Sequence, residues 1–168
     1  DPSNEGPSRR GHIRFIQNIG GHVYAGGMGR QLYVRAGKNQ WRRADLGMVQ
    51  AMGSLDVSGL NSLAGLRDGT LVGVGFLGEI WEQRGGTWQA QASPTNLILH
   101  AVCVNEAGQA YACGQAGVLL RRDATGWTAI PQNDVKVDLW SLTCFKGKWY
   151  LGSDEGLYVL DEASGSLS

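Results

Sequence analysis

The stretch TLVGVGFLGEIWEQRGGTWQAQA, residues 70–92, decides the fold. A short apolar run ends at Gly75, a second glycine follows at Gly78, and another apolar run leads through a glycine turn to Trp88. Short apolar runs separated by glycine turns are typical of antiparallel strands, because glycine adopts the positive φ angles that tight turns require. The stretch therefore predicts two strands followed by an outer strand that begins with tryptophan.

This order of features occurs four times along the chain. The repeats lie in residues 22–45, 70–92, 109–131 and 148–165, and their first glycines are 49, 39 and 38 residues apart. The glycine pairs are Gly26/Gly29, Gly75/Gly78, Gly114/Gly117 and Gly152/Gly156, and tryptophan follows three of them as Trp41, Trp88 and Trp127. Another apolar run and a tight turn precede each pair, so each unit is predicted to contain four short strands.

A period near 40 residues with four strands per unit predicts a β-propeller. The expected fold is all-β, with four recognisable blades of four-stranded antiparallel sheet that form part of a larger ring. The predicted blades span about residues 12–46, 59–94, 97–134 and 137–161, and residues 1–11 are predicted to be a linker or a cut edge. A genuine four-bladed domain is the alternative. A β-sandwich would not require a repeated glycine pair followed by tryptophan.

The composition excludes several classes of protein. The chain has 168 residues, 15 Lys and Arg against 15 Asp and Glu, and 42% hydrophobic residues. This hydrophobic content and neutral balance differ from those of disordered chains and of dedicated nucleic-acid binders. No apolar run approaches the ~18 residues of a membrane span. Glycine is abundant at 26 residues but shows no collagen period, which favours many glycine turns.

The charge is distributed unevenly along the chain. Residues 1–50 carry eight basic and three acidic residues, a net charge of +5, and residues 51–168 carry seven basic and twelve acidic residues, a net charge of −5. A surface with two signs suits a protein partner, and ordinary surface scatter is the alternative interpretation. Residues 46–58 are an insertion between the first two units, and such insertions either bind a partner or are simply tolerated loops.

Three cysteines, Cys103, Cys113 and Cys144, lie in apolar stretches. An odd number of cysteines does not form a closed disulfide framework, so we expect buried thiols, with a Cys103–Cys113 bridge as the alternative. The sequence shows no secretory signal. The compartment stays open, with the cytoplasm slightly favoured.

A search for catalytic chemistry finds no motif that specifies a reaction. The three histidines, His12, His22 and His100, form no HxH or HExxH pattern, and no GxSxG motif is present. Asp154 and Glu155 are a single acidic pair, whereas calcium requires six to eight oxygen ligands. We therefore predict no catalytic residue, no cofactor and no metal site.

The repeats resemble the Asp-box and kelch-like group of bacterial propellers. The similarity lies in Gly85–Trp88 (GGTW) and Thr125–Trp127 (TGW), which follow glycine pairs, and it spans about Ile13–Asp161. The Asp-box pattern SxDxGxTW is complete in no unit, and Arg84 stands where an acid is expected. Similar degenerate propellers occur among immunity proteins of bacterial toxin systems. The resemblance implies a non-catalytic protein that binds and blocks a toxin.

Loops on one face of such a propeller are the expected binding surface. The candidates lie between or beside the glycine pairs, and they are Met28, Arg30, Phe76, Leu77, Gln115, Ser153, Asp154 and Glu155. The expected partner is another protein, either a toxin or the remaining part of the propeller. The alternative function is a carbohydrate-binding or glycan-hydrolysing propeller, which would need carboxylates that converge in the central funnel.

Overall fold

The computed structural model describes residues 10–51 and 54–168, and these residues form four antiparallel sheets. Within these ranges there is no α-helix, and no helix that could cross a membrane. The prediction of an all-β fold is confirmed. The strands are β1 (Ile13–Ile19), β2 (His22–Gly27), β3 (Leu32–Gly37) and β4 (Gln40–Arg43) in sheet 1; β5 (Leu60–Gly65), β6 (Leu71–Gly75), β7 (Ile80–Arg84) and β8 (Thr87–Ala90) in sheet 2; β9 (Leu99–Val104), β10 (Ala110–Gly114), β11 (Leu119–Asp123) and β12 (Gly126–Ala129) in sheet 3; and β13 (Leu139–Phe145), β14 (Lys148–Ser153) and β15 (Leu157–Leu160) in sheet 4.

Sheet 4 differs from the other three because it has three strands. Leu167 forms an antiparallel bridge with Leu160, at the position where the fourth strand begins in the other sheets. Trp88 pairs with Gln83 at the same register in sheet 2. Leu167 therefore occupies in sheet 4 the position that Trp88 and Trp127 occupy in sheets 2 and 3. Like these tryptophans, it is buried.

The glycine pattern of sheet 1 is displaced by one residue from the predicted pair Gly26/Gly29. The amide of Gly27 donates to the carbonyl of Gln31, as the amide of Gly75 donates to the carbonyl of Glu79. Gly27 is therefore the equivalent of Gly75, and Arg30 takes the place of the second glycine. Arg30 has a φ of 54°, in the left-handed region that glycine adopts at this position in sheets 2 and 3.

The four sheets pack face to face in chain order. We call the face of a sheet that is directed toward the preceding sheet its front face, and the opposite face, which is directed toward the following sheet, its back face. In sheet 2, Leu63 and Trp88 lie on the front face, and Val72 and Ile80 lie on the back face. Three apolar clusters fill the three contacts between consecutive sheets, and burying this surface is the main favourable contribution to the fold.

The first strands of consecutive sheets lie side by side: β1 with β5, β5 with β9, and β9 with β13. Side chains join them to one another. The side-chain oxygen of Gln17 accepts a hydrogen bond of 2.7 Å from the amide of Leu63, and the hydroxyl of Ser62 accepts one of 3.2 Å from the amide of Val102. These bonds satisfy backbone groups that would otherwise be left without partners at a strand edge.

In sheets 2 and 3, the recurring tryptophan connects the outer strand to the preceding sheet by a hydrogen bond. The indole nitrogen of Trp88 donates to the carbonyl of Ala44 at 2.7 Å, and that of Trp127 donates to the carboxylate of Glu82 at 3.3 Å. Glu82 is buried, and it accepts two further bonds, of 2.7 and 3.1 Å, from Arg122. Burial alone raises the pKa of Glu82, but the bonds and charge of Arg122 hold the pKa below its ordinary value. The carboxylate is therefore charged and paired within the contact between sheets 2 and 3.

All three cysteines are free thiols. Cys113 is fully buried in the contact between sheets 3 and 4, and burial raises its pKa to about 12. The expectation of free thiols agrees with the structure, and the alternative bridge between Cys103 and Cys113 is not formed. The expected burial holds for Cys113 alone, because Cys103 and Cys144 are only partly buried.

Close backbone approach explains the glycine at the end of the second strand in sheets 2 and 3. A Cβ atom on Gly75 would overlap the carbonyl oxygen of Gly59, and one on Gly114 would overlap the carbonyl oxygen of Ile98. These carbonyls precede β5 and β9, and each accepts a hydrogen bond from the residue after the glycine. Only a residue without a side chain permits this spacing.

We expect Gly75→Ala and Gly114→Ala each to destabilise the protein by about 1–3 kcal/mol, because the added methyl group must displace paired backbone. Urea denaturation would measure the free energy of unfolding. Gly156→Ala is the matched control, because nothing lies within 4 Å of a Cβ atom there, and it should change stability by less than about 0.5 kcal/mol. Equal stability of Gly75→Ala and the wild type would contradict this explanation.

Candidate binding face

The turns between the second and third strands lie at the end of the sheets where β1, β5, β9 and β13 begin. We call this end the turn face. In sheets 2 and 3 the turns are the short 3-10 segments Phe76–Gly78 and Gln115–Gly117, with Leu77 and Ala116 both at a φ of 53°. The amides of Phe76 and Gln115 donate to the carbonyls that precede β5 and β9. The backbone therefore holds these turns rigidly against the start of the first strand.

A β-bulge recurs at the turn face in the first strand of every sheet. The pairing register shifts between Ile13 and Phe15, Leu60 and Ser62, Leu99 and Ala101, and Leu139 and Ser141. The residues within these shifts are Arg14, Asn61, His100 and Trp140. A bulge redirects its side chain out of the regular alternation of the strand, and bulges are enriched beside functional sites. Four different side chains are thus presented by one repeated backbone feature.

Each of the first three bulge residues reaches the next sheet. The guanidinium of Arg14 lies 5.3 Å from the ring centre of Phe76. The side-chain amide of Asn61 donates to the carbonyl of Leu99 at 2.8 Å. The ring of His100 stacks on Trp140, with 4.2 Å between centroids. The bulge residues therefore form a continuous row across the turn face.

His100 is the most enclosed member of this row. Its side chain is 9% exposed, and its Nε2 atom lies 3.5 Å from the carboxylate of Asp138. Burial lowers the pKa of His100, although the nearby carboxylate of Asp138 acts in the opposite direction. The other oxygen of Asp138 accepts the amide of Ala116 at 2.9 Å. Among the described residues, the Nε2 of His100 and the Oδ1 of Asn61 are buried without a hydrogen-bond partner.

Arg30 is fixed in place by the neighbouring turn. Its guanidinium makes two bonds of 2.7 Å to the carboxylate of Glu79 and lies 5.3 Å from the ring centre of Trp81. The indole of Trp81 also donates to Glu79 at 3.2 Å. A bidentate pair of this kind is short and directional. Arg30 therefore connects the turns of sheets 1 and 2.

The insertion after sheet 1 packs beside the same face. The amide of Gln50 donates to the carbonyl of Gly29, and the guanidinium of Arg10 donates to the carbonyl of Gln50 at 2.6 Å. Three large apolar side chains are exposed on this insertion, Leu46 at 68%, Leu55 at 98% and Val57 at 59%, and two are exposed on the turn face, Leu77 at 63% and Trp140 at 47%. Exposed apolar side chains gathered on one surface are typical of protein-binding sites.

The remaining candidate residues from the sequence also lie in these turns. Met28 is partly buried and bridges to Gly59, so it joins the first turn to the start of sheet 2. Gln115 is partly buried, and its side-chain oxygen lies 3.4 Å from the amide of Ile98. Ser153 orders its own turn, because its hydroxyl accepts the amides of Glu155 and Gly156. Asp154 and Glu155 are exposed.

Sequence reasoning did not identify the four bulge residues or Asp138. A signal for the bulge residues is present in the aligned first strands IRFI, LNSL, LHAV and LWSL, which begin at Ile13, Leu60, Leu99 and Leu139. The second position is the most varied in chemistry within this repeated apolar pattern. Variation inside a constant scaffold indicates a position whose side chain is not required by the core.

The turn face shows no arrangement that specifies a reaction. Within residues 10–51 and 54–168, no group of three or more His, Cys, Asp or Glu side chains is placed to hold a metal ion. Two carboxylates of the turn face, Glu79 and Asp138, are engaged by Arg30 and by the amide of Ala116. The geometry is suited to recognising a surface through aromatic, apolar and charged contacts.

Comparison with known proteins finds a sequence relative. The chain is 46% identical over 151 residues to Immune protein Tsi7 of Pseudomonas aeruginosa, and the alignment covers 90% of this chain and 49% of that protein. The chain therefore spans about half the length of the curated relative that it matches. No family model matches the chain. Among solved structures, a protein of unknown function from Bacteroides caccae is similar with a TM-score of 0.45 and 9% identity, covering 93% of this chain and 80% of that one.

The pair of Arg30 and Glu79 should stabilise the contact between sheets 1 and 2. We expect Arg30→Ala to cost about 1–3 kcal/mol in the free energy of unfolding, because it leaves a largely buried carboxylate without its partner. Arg30→Gly should cost less than Arg30→Ala, since glycine adopts the left-handed backbone without strain. A double-mutant cycle with Glu79→Gln should show coupling, and purely additive effects would contradict the assignment.

The buried ring of His100 predicts a pH dependence of stability. The folded ring binds a proton less readily than the unfolded chain, whose histidine pKa is about 6.5, so protonation favours unfolding. The neutral ring of His100 therefore contributes its full stabilisation above the unfolded-state pKa. This stabilisation is lost as the pH falls through the lower pKa of the folded state. Between about pH 7.5 and 5, the wild type should lose more stability than His100→Gln in urea titrations. His22→Gln, at an exposed ring, is the control, and parallel curves for the wild type and His100→Gln would contradict the prediction.

Proposed function

We propose that this chain is a non-catalytic protein that binds a bacterial toxin and neutralises it. The named relative is an immune protein, and the present chain matches about half of that protein. The observation that carries the proposal is the turn face, where the turn residue Leu77 and the bulge residue Trp140 are both exposed. Large apolar and aromatic anchors on a rigid backbone are the common basis of tight protein recognition.

We propose that the four sheets are consecutive blades of a propeller, with boundaries near residues 12–46, 59–94, 97–134 and 137–161 and with residues 1–11 as a linker. Most of residues 1–11 lie outside the described part of the chain. Two features support this arrangement: consecutive sheets pack face to face, and their first strands lie side by side. In a propeller the first strands line the axis, and the turn face is one open end of the ring.

The partner surface would then combine rigid and adaptable contacts. Leu77 and Trp140 supply apolar area, whereas Arg14, Asp154 and Glu155 supply charge at exposed positions. The predicted residues Met28, Phe76, Gln115 and Ser153 support the turns from partly buried positions, and Arg30 holds the first turn through Glu79. Charged residues around apolar anchors favour fast association and exclude unsuitable partners.

A carbohydrate-binding or glycan-hydrolysing propeller is not favoured. A retaining or inverting glycosidase requires two carboxyl groups that face one substrate across a defined distance. On the described turn face, Glu79 is bound to Arg30 and Asp138 is bound to a backbone amide. The remaining acidic pair, Asp154 and Glu155, consists of adjacent residues in one exposed turn.

The proposal can be tested by rescue of bacterial growth. Toxin candidates are taken from the genes beside the gene for this chain, and each is expressed inducibly together with the chain. The wild type should restore growth against one of them and form a complex with it. Leu77→Asp and Trp140→Ala should each weaken that complex at least ~tenfold, because they remove anchors from the turn face.

Ala107→Asp provides the matched control, since it places the same charge on an exposed turn at the opposite end of sheet 3. This variant should protect as the wild type does. Absence of rescue by well-expressed wild type, or a glycan-array signal that depends on Trp140 without any protein partner, would overturn the proposal.

A further inference from the structure

The contact between sheets 3 and 4 contains all three cysteines of the chain. Cys103 lies in β9 and Cys144 in β13, and both side chains are partly buried in the same apolar cluster. Cys113, in β10, is fully buried in that cluster. The proposed binding of a toxin at the turn face does not involve any of these thiols.

Strand alternation directs the side chains of Cys103 and Cys144 toward each other. On β9, Ala101 and Cys103 both pack in this cluster, so they lie on the back face of sheet 3. On β13, Leu142 and Cys144 both pack in it, so they lie on the front face of sheet 4. Residues two positions apart share one face of a strand, and both pairs follow this rule. The two cysteines therefore face one another across the contact.

The first strands β9 and β13 lie side by side, and the repeat indicates their relative register. In the preceding contact, the hydroxyl of Ser62 accepts a hydrogen bond of 3.2 Å from the amide of Val102. These two residues are one and two positions after their bulge residues, and Cys103 and Cys144 are three and four positions after theirs. The offset is the same in both contacts, so the repeat places Cys103 beside the backbone of Cys144.

The surroundings of the Cys103 sulfur agree with this register. Burial raises the pKa of the Cys103 thiol, and the nearby backbone amide of Cys144 acts in the opposite direction. A short side chain that reaches the neighbouring amide keeps the two Cα atoms within the ~7 Å that a disulfide can span. Cys113 pairs with Ala101 and thus lies diagonally to Cys103, where Cα atoms are about 7–8 Å apart. Cys144 is therefore the better-placed partner of Cys103.

Cys144 is also accessible to a small molecule. It lines a cleft of about 510 Å³ formed with the turns that follow β9 and β13, at the end of the sheets opposite the turn face. A cleft of this size admits a small ligand. Cys113 is 0% exposed and does not line this cleft. A soluble oxidant therefore reaches Cys144 before it reaches the buried thiol.

We propose that Cys103 and Cys144 form a disulfide bond when the folded chain meets a small-molecule disulfide such as oxidised glutathione. The bond joins β9 to β13 across the contact between sheets 3 and 4. It modifies the scaffold at the end opposite the turn face, so it does not depend on the proposed binding of a toxin.

The bond forms in two thiol–disulfide exchanges. The thiolate of Cys144 attacks one sulfur of oxidised glutathione, the sulfur–sulfur bond of the oxidant breaks, and one glutathione leaves as a thiolate. The thiolate of Cys103 then attacks the Cys144 sulfur of this mixed disulfide, and the second glutathione leaves. In total the two cysteines lose two protons and two electrons, and the oxidant takes them up as two glutathione thiols. Because burial raises the pKa of Cys103, the second exchange should become faster as the pH rises.

Mass spectrometry of the folded chain after incubation with oxidised glutathione tests the proposal. The wild type should lose the mass of two hydrogen atoms and keep a single thiol that can be alkylated after denaturation. Trypsin cleaves after arginine and lysine, which leaves Cys103 and Cys113 in one peptide and Cys144 in another. A link between these two peptides that is still formed in Cys113→Ala identifies Cys103 and Cys144 as the pair.

Cys103→Ala and Cys144→Ala are matched variants that separate the two exchanges. Cys103→Ala should stop at the mixed disulfide, with one glutathione on Cys144, whereas Cys144→Ala should keep both of its thiols reduced. Thermal melting checks that each variant is folded. The oxidised wild type should unfold at a higher urea concentration than the reduced wild type, because the link restricts the unfolded chain.

Three alkylatable thiols in the wild type after this incubation would overturn the proposal. A wild type that stops at the mixed disulfide would overturn it as well, since Cys103 would then be out of reach of Cys144. The same holds for a link that is lost in Cys113→Ala, and for an oxidised form that unfolds at lower urea, because the native contact would not accommodate the bond. The toxin is absent from every measurement, so these results are independent of the proposed function.

Discussion

The burial of both faces of each sheet is the constraint on which the rest of the structure depends. Sheet 2 shows it most fully, because its front face contributes to one apolar cluster and its back face to another. A short antiparallel sheet of this size has little stability alone, since its strands contain only four to six residues. Stability therefore comes from the contacts between sheets.

This constraint also separates the core from the binding face. Residues that alternate along the strands are required for packing, and they vary little in chemistry from one sheet to the next. The bulge takes one side chain in each first strand out of the alternation that packing requires. The residues at this position, Arg14, Asn61, His100 and Trp140, therefore differ in chemistry. A repeated scaffold can thus present a different chemical surface through equivalent positions.

The sequence predicted the features that follow from local rules. Glycine turns, short apolar strands and recurring tryptophans identified the four units, because each feature depends on a few neighbouring residues. Contacts between sheets were harder to predict. The pair of Arg30 and Glu79 joins residues 49 positions apart, and no local pattern indicates it. The sequence does not indicate the one-residue displacement in sheet 1, because Gly26 and Gly27 are adjacent and only the hydrogen bond from Gly27 to Gln31 distinguishes them.

Arg30 shows how such a departure from the repeat is tolerated. The turns of sheets 2 and 3 use Gly78 and Gly117 at this place, where a Cβ atom would overlap the backbone of the following linker. In sheet 1 the following segment is the long insertion, where the amide of Gln50 donates to the carbonyl of Gly29. The backbone strain of a left-handed arginine is then offset by two short bonds to Glu79 and by the contact with Trp81. Arg30 therefore replaces the glycine of the repeat with a side chain that ties sheet 1 to sheet 2, a contact that Gly78 and Gly117 cannot make.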